Sequence, residues 1–195
     1  MPLLPPEPCH FPTDLFAAAD PAGVKWWVLH TKPRAEKAIA RSLFAHQVPF
    51  FLPTYENKRR AGGRVLTSHL PLFAGYMFLR GTEDDRGTAL GTNQIANCIP
   101  ATAHLRGELE AVYRVMTCES PFGPETPLVP GAPIKIVHGP LAGIRGKVLR
   151  RGNRVTVFVE VQMLKQGVAV EIEEWMVAPD EAGEAAGDTA AVRAN

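Results

Sequence analysis

The sequence predicts an α+β chain: an antiparallel sheet backed by helices over residues 25–118, followed by a small all-β barrel over residues 131–178. Three observations carry this. Apolar runs and helix-spaced stretches alternate in the order β-α-β-β-α-β-α as far as Cys118, the pattern of a sheet with helices packed on it. Pro121, Pro124, Pro127 and Pro130 then crowd residues 119–130, which reads as a linker. Beyond it Ile134 and Ile136, then Val155, Val157, Val159 and Val161, then Val168, Val170 and Ile172 recur with period two. Gly139, Gly143, Gly146 and Gly152 stand at the intervening turns. That texture suits about five short strands.

Residues 1–24 hold several prolines and no sustained periodicity, so they read as an extended or disordered tail. Within them, the short apolar patch from Phe11 to Phe16 could dock on the domain or on a partner. Order begins at Trp26-Trp27-Val28-Leu29-His30, a compact apolar run of the kind a buried strand has. Thr31 is expected to cap a helix with Pro33 in its first turn, where a missing N–H costs little. Ile39, Ala40, Leu43 and Phe44 share one face of that helix, and Arg34, Lys37 and Arg41 another. Pro49 ends it and Phe50-Phe51-Leu52 begins the next strand. Lys58 to Arg64 reads as a basic hairpin tip around Gly62-Gly63, with Val65 and Leu66 on the return strand. A strand is expected from Leu72 to Leu79, a short helix or loop over Glu83–Leu90, and a weak strand near Ala96–Ile99. Leu105, Leu109, Val112 and Met116 mark an amphipathic helix. Residues 179–195 form an acidic, Ala-rich tail, and the sequence holds no repeats.

The 195 residues fit one medium domain or two small ones. A composition 46% hydrophobic and 21% charged belongs to a folded soluble chain. No apolar run approaches the ~20 residues of a membrane span, and the start lacks a basic then apolar leader. A cytoplasmic protein without membrane contact is expected. Cys9, Cys98 and Cys118 make no CxxC pair, which fits a reducing compartment. The net charge of +1 hides an asymmetry. Residues 25–118 carry 13 Lys/Arg against 7 Asp/Glu, residues 131–178 carry 7 against 4, and the remaining segments 1 against 9. Basic folded bodies between acidic connectors suggest an anionic partner, and solvated surface charge is an equal reading of the same asymmetry. GxGxxG, P-loop, HExxH and GxSxG patterns are absent. The six histidines are scattered singly, and Asp84-Asp85 and Glu173-Glu174 read as solvated turns. The expectation is a protein that is not an enzyme, with no cofactor and no metal.

Two segments carry a family resemblance. Leu72-Phe73-Ala74-Gly75-Tyr76-Met77-Phe78-Leu79 resembles the "(L/F)FPGY(V/L)(F/L)V" strand of the NusG N-terminal domain, with Ala74 at the usual proline. Gly139-Pro140-Leu141-Ala142-Gly143-Ile144-Arg145-Gly146-Lys147-Val148 is similar to the KOW motif, GP(F/L)AGxxGxV, at its fixed positions. KOW occurs in ribosomal proteins too; the two motifs in this order around a Pro-rich linker are far more specific, and cover about residues 26–178. The opening Trp26-Trp27-Val28-Leu29-His30-Thr31-Lys32-Pro33-Arg34-Ala35-Glu36 is similar to the "WYxLYTKPRxE" start of specialised paralogues, the RfaH, UpxY and LoaP-like antiterminators, with Trp27 and His30 at the two usual tyrosines.

The resemblance implies a transcription elongation or antitermination factor, monomeric and specialised for particular operons. Its N-terminal domain would bind the clamp helices of RNA polymerase through His30, Phe73 and Tyr76. Taken alone, Phe73 suits a core and an interface equally. Lys32, Arg34, Lys37 and Arg41 would meet the non-template DNA strand through phosphate contacts, with Arg41 equally at home on a solvated face. The KOW domain would bind a small-subunit ribosomal protein or Rho through Met163, Leu164 and Lys165, two apolar residues and a base at an expected exposed turn. Housekeeping NusG and a ribosome-associated, RNA-binding KOW protein stand as alternatives. An autoinhibitory helical hairpin at the C-terminus, as in some RfaH-type proteins, is not expected, because alternating valines fall on one side of a strand and would scatter around a helix.

Overall fold

The computed structural model describes residues 8–17, 19–61, 64–118, 122–125, 133–151, 154–172 and 176–180. The chain divides into two compact units, Met1–Arg106 and Gly107–Asn195. Residues 1–7, the Gly62-Gly63 tip, Gly152, most of the proline-rich stretch and the tail beyond Asp180 lie outside the described residues.

The first unit opens with a two-residue strand, β1 (His10–Phe11), where a proline-rich tail is expected. A turn follows, and then β2 (Lys25–Thr31). The continuous apolar run of β2 is explained by burial on both faces: Trp26, Trp27, Val28 and Leu29 are all buried. Helix α1 (Glu36–Ala45) starts later than Thr31. The backbone N–H of Thr31 donates to the Gly75 carbonyl (2.8 Å) and that of Lys32 to the Gln94 carbonyl (2.8 Å). Sheet-type bonding therefore holds Thr31 extended, and Pro33 and Arg34, the latter at φ 63°, turn the chain into the helix. Ile39, Ala40 and Leu43 are buried as their spacing predicts, whereas Phe44 is 43% exposed and meets the edge of Phe11 at 5.3 Å between centroids.

Strand β3 (Phe50–Phe51) precedes β4 (Thr54–Ala61) and β5 (Arg64–Pro71), which pair only with each other among the described residues. Strand β6 (Tyr76–Gly81) is shorter than the expected Leu72–Leu79. Phe73 to Tyr76 is instead a turn closed by the Tyr76 N–H to Phe73 carbonyl bond (3.0 Å). Gly75 at φ 80° occupies its third position, the place where a type II turn needs positive φ. Helix α2 (Glu83–Gly91) is capped by Thr82, whose side chain and that of Asp85 form a reciprocal capping box. Strand β7 (Ile95–Pro100) completes an antiparallel sheet in the order β1-β3-β6-β2-β7.

Period-two geometry sorts this sheet into two faces. Trp27, Leu29, Phe50, Met77 and Leu79 cluster with Ile39, Ala40 and Leu43 of α1 and Ala89 of α2. At roughly 1.5–3 kcal/mol for each fully buried large aliphatic side chain, this face alone justifies the helices' docking. The opposite face carries Trp26, Val28, Phe51 and Phe78, and the N-terminal segment covers part of it. Phe16 stacks on Trp26 (5.7 Å) and meets Phe51 edge-on (5.2 Å), and Leu15 is fully buried. Asp20 accepts from Trp26 Nε1 (3.2 Å) and from Arg80 Nε (2.7 Å), with Arg106 Nε 3.8 Å away.

Helix α3 (Leu105–Thr117) begins at the unit boundary, and most of it belongs to the second unit. There Arg114 donates to the carbonyls of Pro140 (2.9 Å) and Ala142 (2.7 Å), and the Glu108 carboxylate accepts from the Gln162 N–H (3.2 Å). Compact packing thus divides the chain within the first turn of α3, between Arg106 and Gly107, whereas composition divides it at the prolines after Cys118. Within those prolines, Phe122–Glu125 forms β8 against a later strand. The rest is β9 (Pro133–Ile136), β10 (Arg145–Arg151), β11 (Arg154–Val161), a 3-10 turn (Gln162–Leu164), β12 (Gln166–Ile172) and β13 (Val177–Pro179). The six strands run antiparallel in the order β13-β9-β10-β11-β12-β8, with no ladder joining β13 to β8 among the described residues. Val155, Val157, Val159 and Val161 are buried on the central strand, and Thr156 and Phe158 are buried on its other side. Gly139 and Gly143 hold the positive φ of a turn. Gly146 instead lies in β10, where a Cβ would collide with the Phe158 carbonyl oxygen; close strand approach requires glycine there.

Candidate functional site

The sheet of the first unit ends in an aromatic pair that reaches the surface. His30 and Tyr76 are direct partners on β2 and β6, and their rings stack at 5.0 Å between centroids with 22° between planes. His30 is exposed and Tyr76 half-buried. Cross-strand opposition brings the side chains within reach, and the ring geometry is that of a favourable offset stack.

The turn beneath the pair is tied from both sides. The Gly75 carbonyl accepts from Thr31 N–H, and the Gly75 N–H donates to Glu36 Oε1, both at 2.8 Å. Glu36, 6% exposed, is the first residue of α1. The helix has no side-chain cap at Ala35, so the carboxylate also places negative charge at a helix N-terminus, where the peptide dipoles favour it.

Of the three residues the sequence assigns to this surface, His30 and Tyr76 lie together and outward. Phe73 does not. It is 1% exposed and meets Phe78 edge-on at 6.0 Å, so it supports the turn from the core.

The four bases expected against DNA, of which Arg34, Lys37 and Arg41 were expected on one helical face, are dispersed. Lys32 precedes the helix, and its Nζ donates to the Asn93 carbonyl (2.8 Å). Arg34 sits in the connecting turn at φ 63°. Only Lys37 and Arg41 stand on α1, four residues apart. In the second unit, Met163 and Leu164 are half-buried in the 3-10 turn and Lys165 is exposed at φ 51°. The basic tip residues Arg59, Arg60 and Arg64 are placed by register opposite Leu66, Val65 and Ala61.

Sequence reasoning missed Glu36 and Asp20 as organising residues. A lone carboxylate in a first helical turn reads as dipole complementation, and one in a proline-rich stretch reads as solvated. The only signal for Glu36 was its place at the end of the opening motif.

Cys9 Sγ lies 3.2 Å from His10 Nδ1, a pairing that invites a nucleophile reading. Burial pushes the Cys9 thiol up and the His10 imidazole down, so both are driven toward their neutral forms, away from the thiolate of a reactive cysteine. Burial also raises the Cys98 thiol, against a smaller lowering by the Arg86 hydrogen bond. Among the described residues no group of three or more His, Cys, Asp or Glu could hold a metal ion, and no helix is long and apolar enough to cross a membrane.

Residues 24–115 match the family model described as "Transcription termination factor nusG". This stretch is a NusG-family domain, and the matched family is one of transcription factors. The chain is similar to several solved structures, among them these two. One, described as "Domain interaction in Thermotoga maritima NusG", is 16% identical, with 81% of this chain and 98% of that one covered at a TM-score of 0.49. The other, the MjSpt4:Spt5 complex in conformation B, is 19% identical, with 79% and 95% covered at 0.27. No curated protein matches the sequence.

Proposed function

We propose that the chain is a transcription elongation and antitermination factor. It binds RNA polymerase through the N-terminal domain and recruits a second partner through the C-terminal sheet, which we read as a KOW barrel. One observation carries this reading: the family-matched stretch presents a His30–Tyr76 stack, with His30 exposed and Tyr76 half-buried, on a turn held by backbone hydrogen bonds and by the Glu36 carboxylate. Two flat rings already held in place offer apolar area with few rotors to freeze, which is what an interface anchor needs. The partner surface is the clamp helices of the polymerase largest subunit. Phe73 contributes by shaping the turn.

The opening segment from Trp26 to Glu36 supports a specialised, operon-specific paralogue, a cytoplasmic monomer that is not an enzyme. Lys32, Arg34, Lys37 and Arg41 are its contacts to the non-template strand. Met163, Leu164 and Lys165 are its contacts to a small-subunit ribosomal protein or Rho.

Titration of RNA polymerase with the folded Tyr76→Ala and His30→Ala variants tests the anchor. Each is expected to lose about 1–3 kcal/mol of binding, and an unchanged affinity in the double variant would remove the proposal. A second titration addresses the bases. On elongation complexes, neutralising Lys32, Arg34 and Lys37 should lower the slope of log K against log salt by about one for each phosphate no longer neutralised. A wild-type slope in the triple variant would withdraw the DNA assignment.

A further inference from the structure

The geometry points to Glu36 as the positioning residue of the aromatic surface, acting through Gly75 and making no contact with the partner itself. The inference rests on the polymerase-binding reading of His30 and Tyr76.

Tyr76 follows a turn whose only third-position option is a residue at positive φ, here Gly75 at 80°. Glycine permits that conformation and does not enforce it, because its unfolded freedom is the largest of any residue. The residue before it in such a turn is the place where proline would preset the backbone. In this chain Ala74 stands there, and it presets nothing. The turn must therefore be held from outside. Its own closing bond, Tyr76 N–H to Phe73 carbonyl, fixes the ends (3.0 Å). The Gly75 peptide groups inside it are held by two neighbours, Thr31 N–H on the carbonyl side and Glu36 Oε1 on the N–H side (both 2.8 Å).

The Thr31 bond belongs to the β2 backbone, the strand that also carries His30. The Glu36 bond comes from a different element, the first turn of α1. Together they fix Gly75 against β2 and α1 at once, and the His30 ring lies close over it: a Cβ on Gly75 would stand 3.8 Å from His30 Cδ2. The stack of His30 on Tyr76 depends on both strand ends being in place.

The chemistry of the contact suits this role. Glu36 is buried at 6% exposure while its Oε1 accepts from a backbone N–H. A hydrogen bond to a charged acceptor is stronger than a neutral one and is costly to leave unmade when buried. An apolar residue of the same size would leave the Gly75 N–H without this acceptor. Here its acceptor is directed at the N–H of the central peptide, Ala74–Gly75, of the turn that leads into Tyr76.

The test uses the full chain and purified RNA polymerase. Glu36→Met keeps volume and helix propensity while removing the acceptor; Glu36→Gln keeps an acceptor. Glu36→Met should lower polymerase affinity about tenfold, the order expected for removal of a charge-assisted bond, and Glu36→Gln should restore most of it. In a Tyr76→Ala background, Glu36→Met should cost less than about twofold, because the residue it positions is gone, as coupling through one site requires. The same loss in both backgrounds, or full affinity in folded Glu36→Met, would overturn the inference. If Tyr76→Ala alone leaves affinity unchanged, the binding reading fails by itself. The positioning claim is then decided by NMR of the free protein. Glu36→Met should move the His30 ring protons as the stack loosens, and unmoved His30 signals overturn it. Should Glu36→Met not fold, amide exchange in the wild type decides: a protected Gly75 N–H supports the lock, and an unprotected one refutes it.

Discussion

Phe73→Ala is expected to destabilise the N-terminal unit by about 3–5 kcal/mol. The ring is 1% exposed, and it meets Phe78, itself fully buried at the centre of β6. Truncation leaves a cavity under the turn that presents Tyr76, and close-packed surroundings relax into such a cavity only in part. Set against a total stability of about 5–15 kcal/mol for a domain of this kind, that is a large share. Denaturant unfolding should show a lower midpoint at an unchanged slope. Loss below about 1 kcal/mol would mean that the ring is not part of the core. The same position also separates two roles. Phe73→Leu, which keeps most of the volume, should leave polymerase affinity near that of the wild type, whereas Tyr76→Ala should not.

Leu15→Ala is expected to cost about 2–5 kcal/mol, an effect foreign to an unstructured tail, where a surface change stays within about 0.5 kcal/mol. Leu15 is fully buried, and the residues around it in sequence are anchored independently: Phe16 on Trp26 and Phe51, Asp20 on Trp26 and Arg80. The variant should unfold at lower denaturant, and limited proteolysis should cut within residues 8–20 before any other part of the first unit. Wild-type stability combined with wild-type protease resistance would contradict the docking of this segment.

These two residues mark where the fold was legible in the sequence and where it was not. The run from Trp26 to Leu29 announced a strand buried on both faces, but not what lay on the second face. The covering segment is proline-rich and aperiodic, and its one signal for packing was the apolar patch from Phe11 to Phe16, which does not tell what it covers. Thr31 carries the mark of a helix cap, yet the carbonyl of Gly75, distant in sequence, claims its N–H and keeps it extended. Tertiary bonding overrode a local preference. Phe122–Glu125 became a strand inside a proline cluster because it pairs at an edge, where a missing donor is tolerated. The valines of β11 were legible because their period survives burial on both sides. At the site, His30 and Tyr76 could be found only through the motif they sit in. Register and a positive φ at Gly75, neither visible in a string of letters, bring them together. For the same reason Glu36 left no signal beyond its place at the end of the opening motif.

The most direct measurement immobilises the full chain and offers it purified RNA polymerase and isolated small ribosomal subunits in parallel, alongside the His30→Ala/Tyr76→Ala double variant. Polymerase should be retained by the wild type and lost from the folded double variant, with any ribosomal binding equal for both. Polymerase held equally by both proteins, or ribosomal subunits held by the wild type while polymerase is not, would refute the aromatic pair as the polymerase anchor.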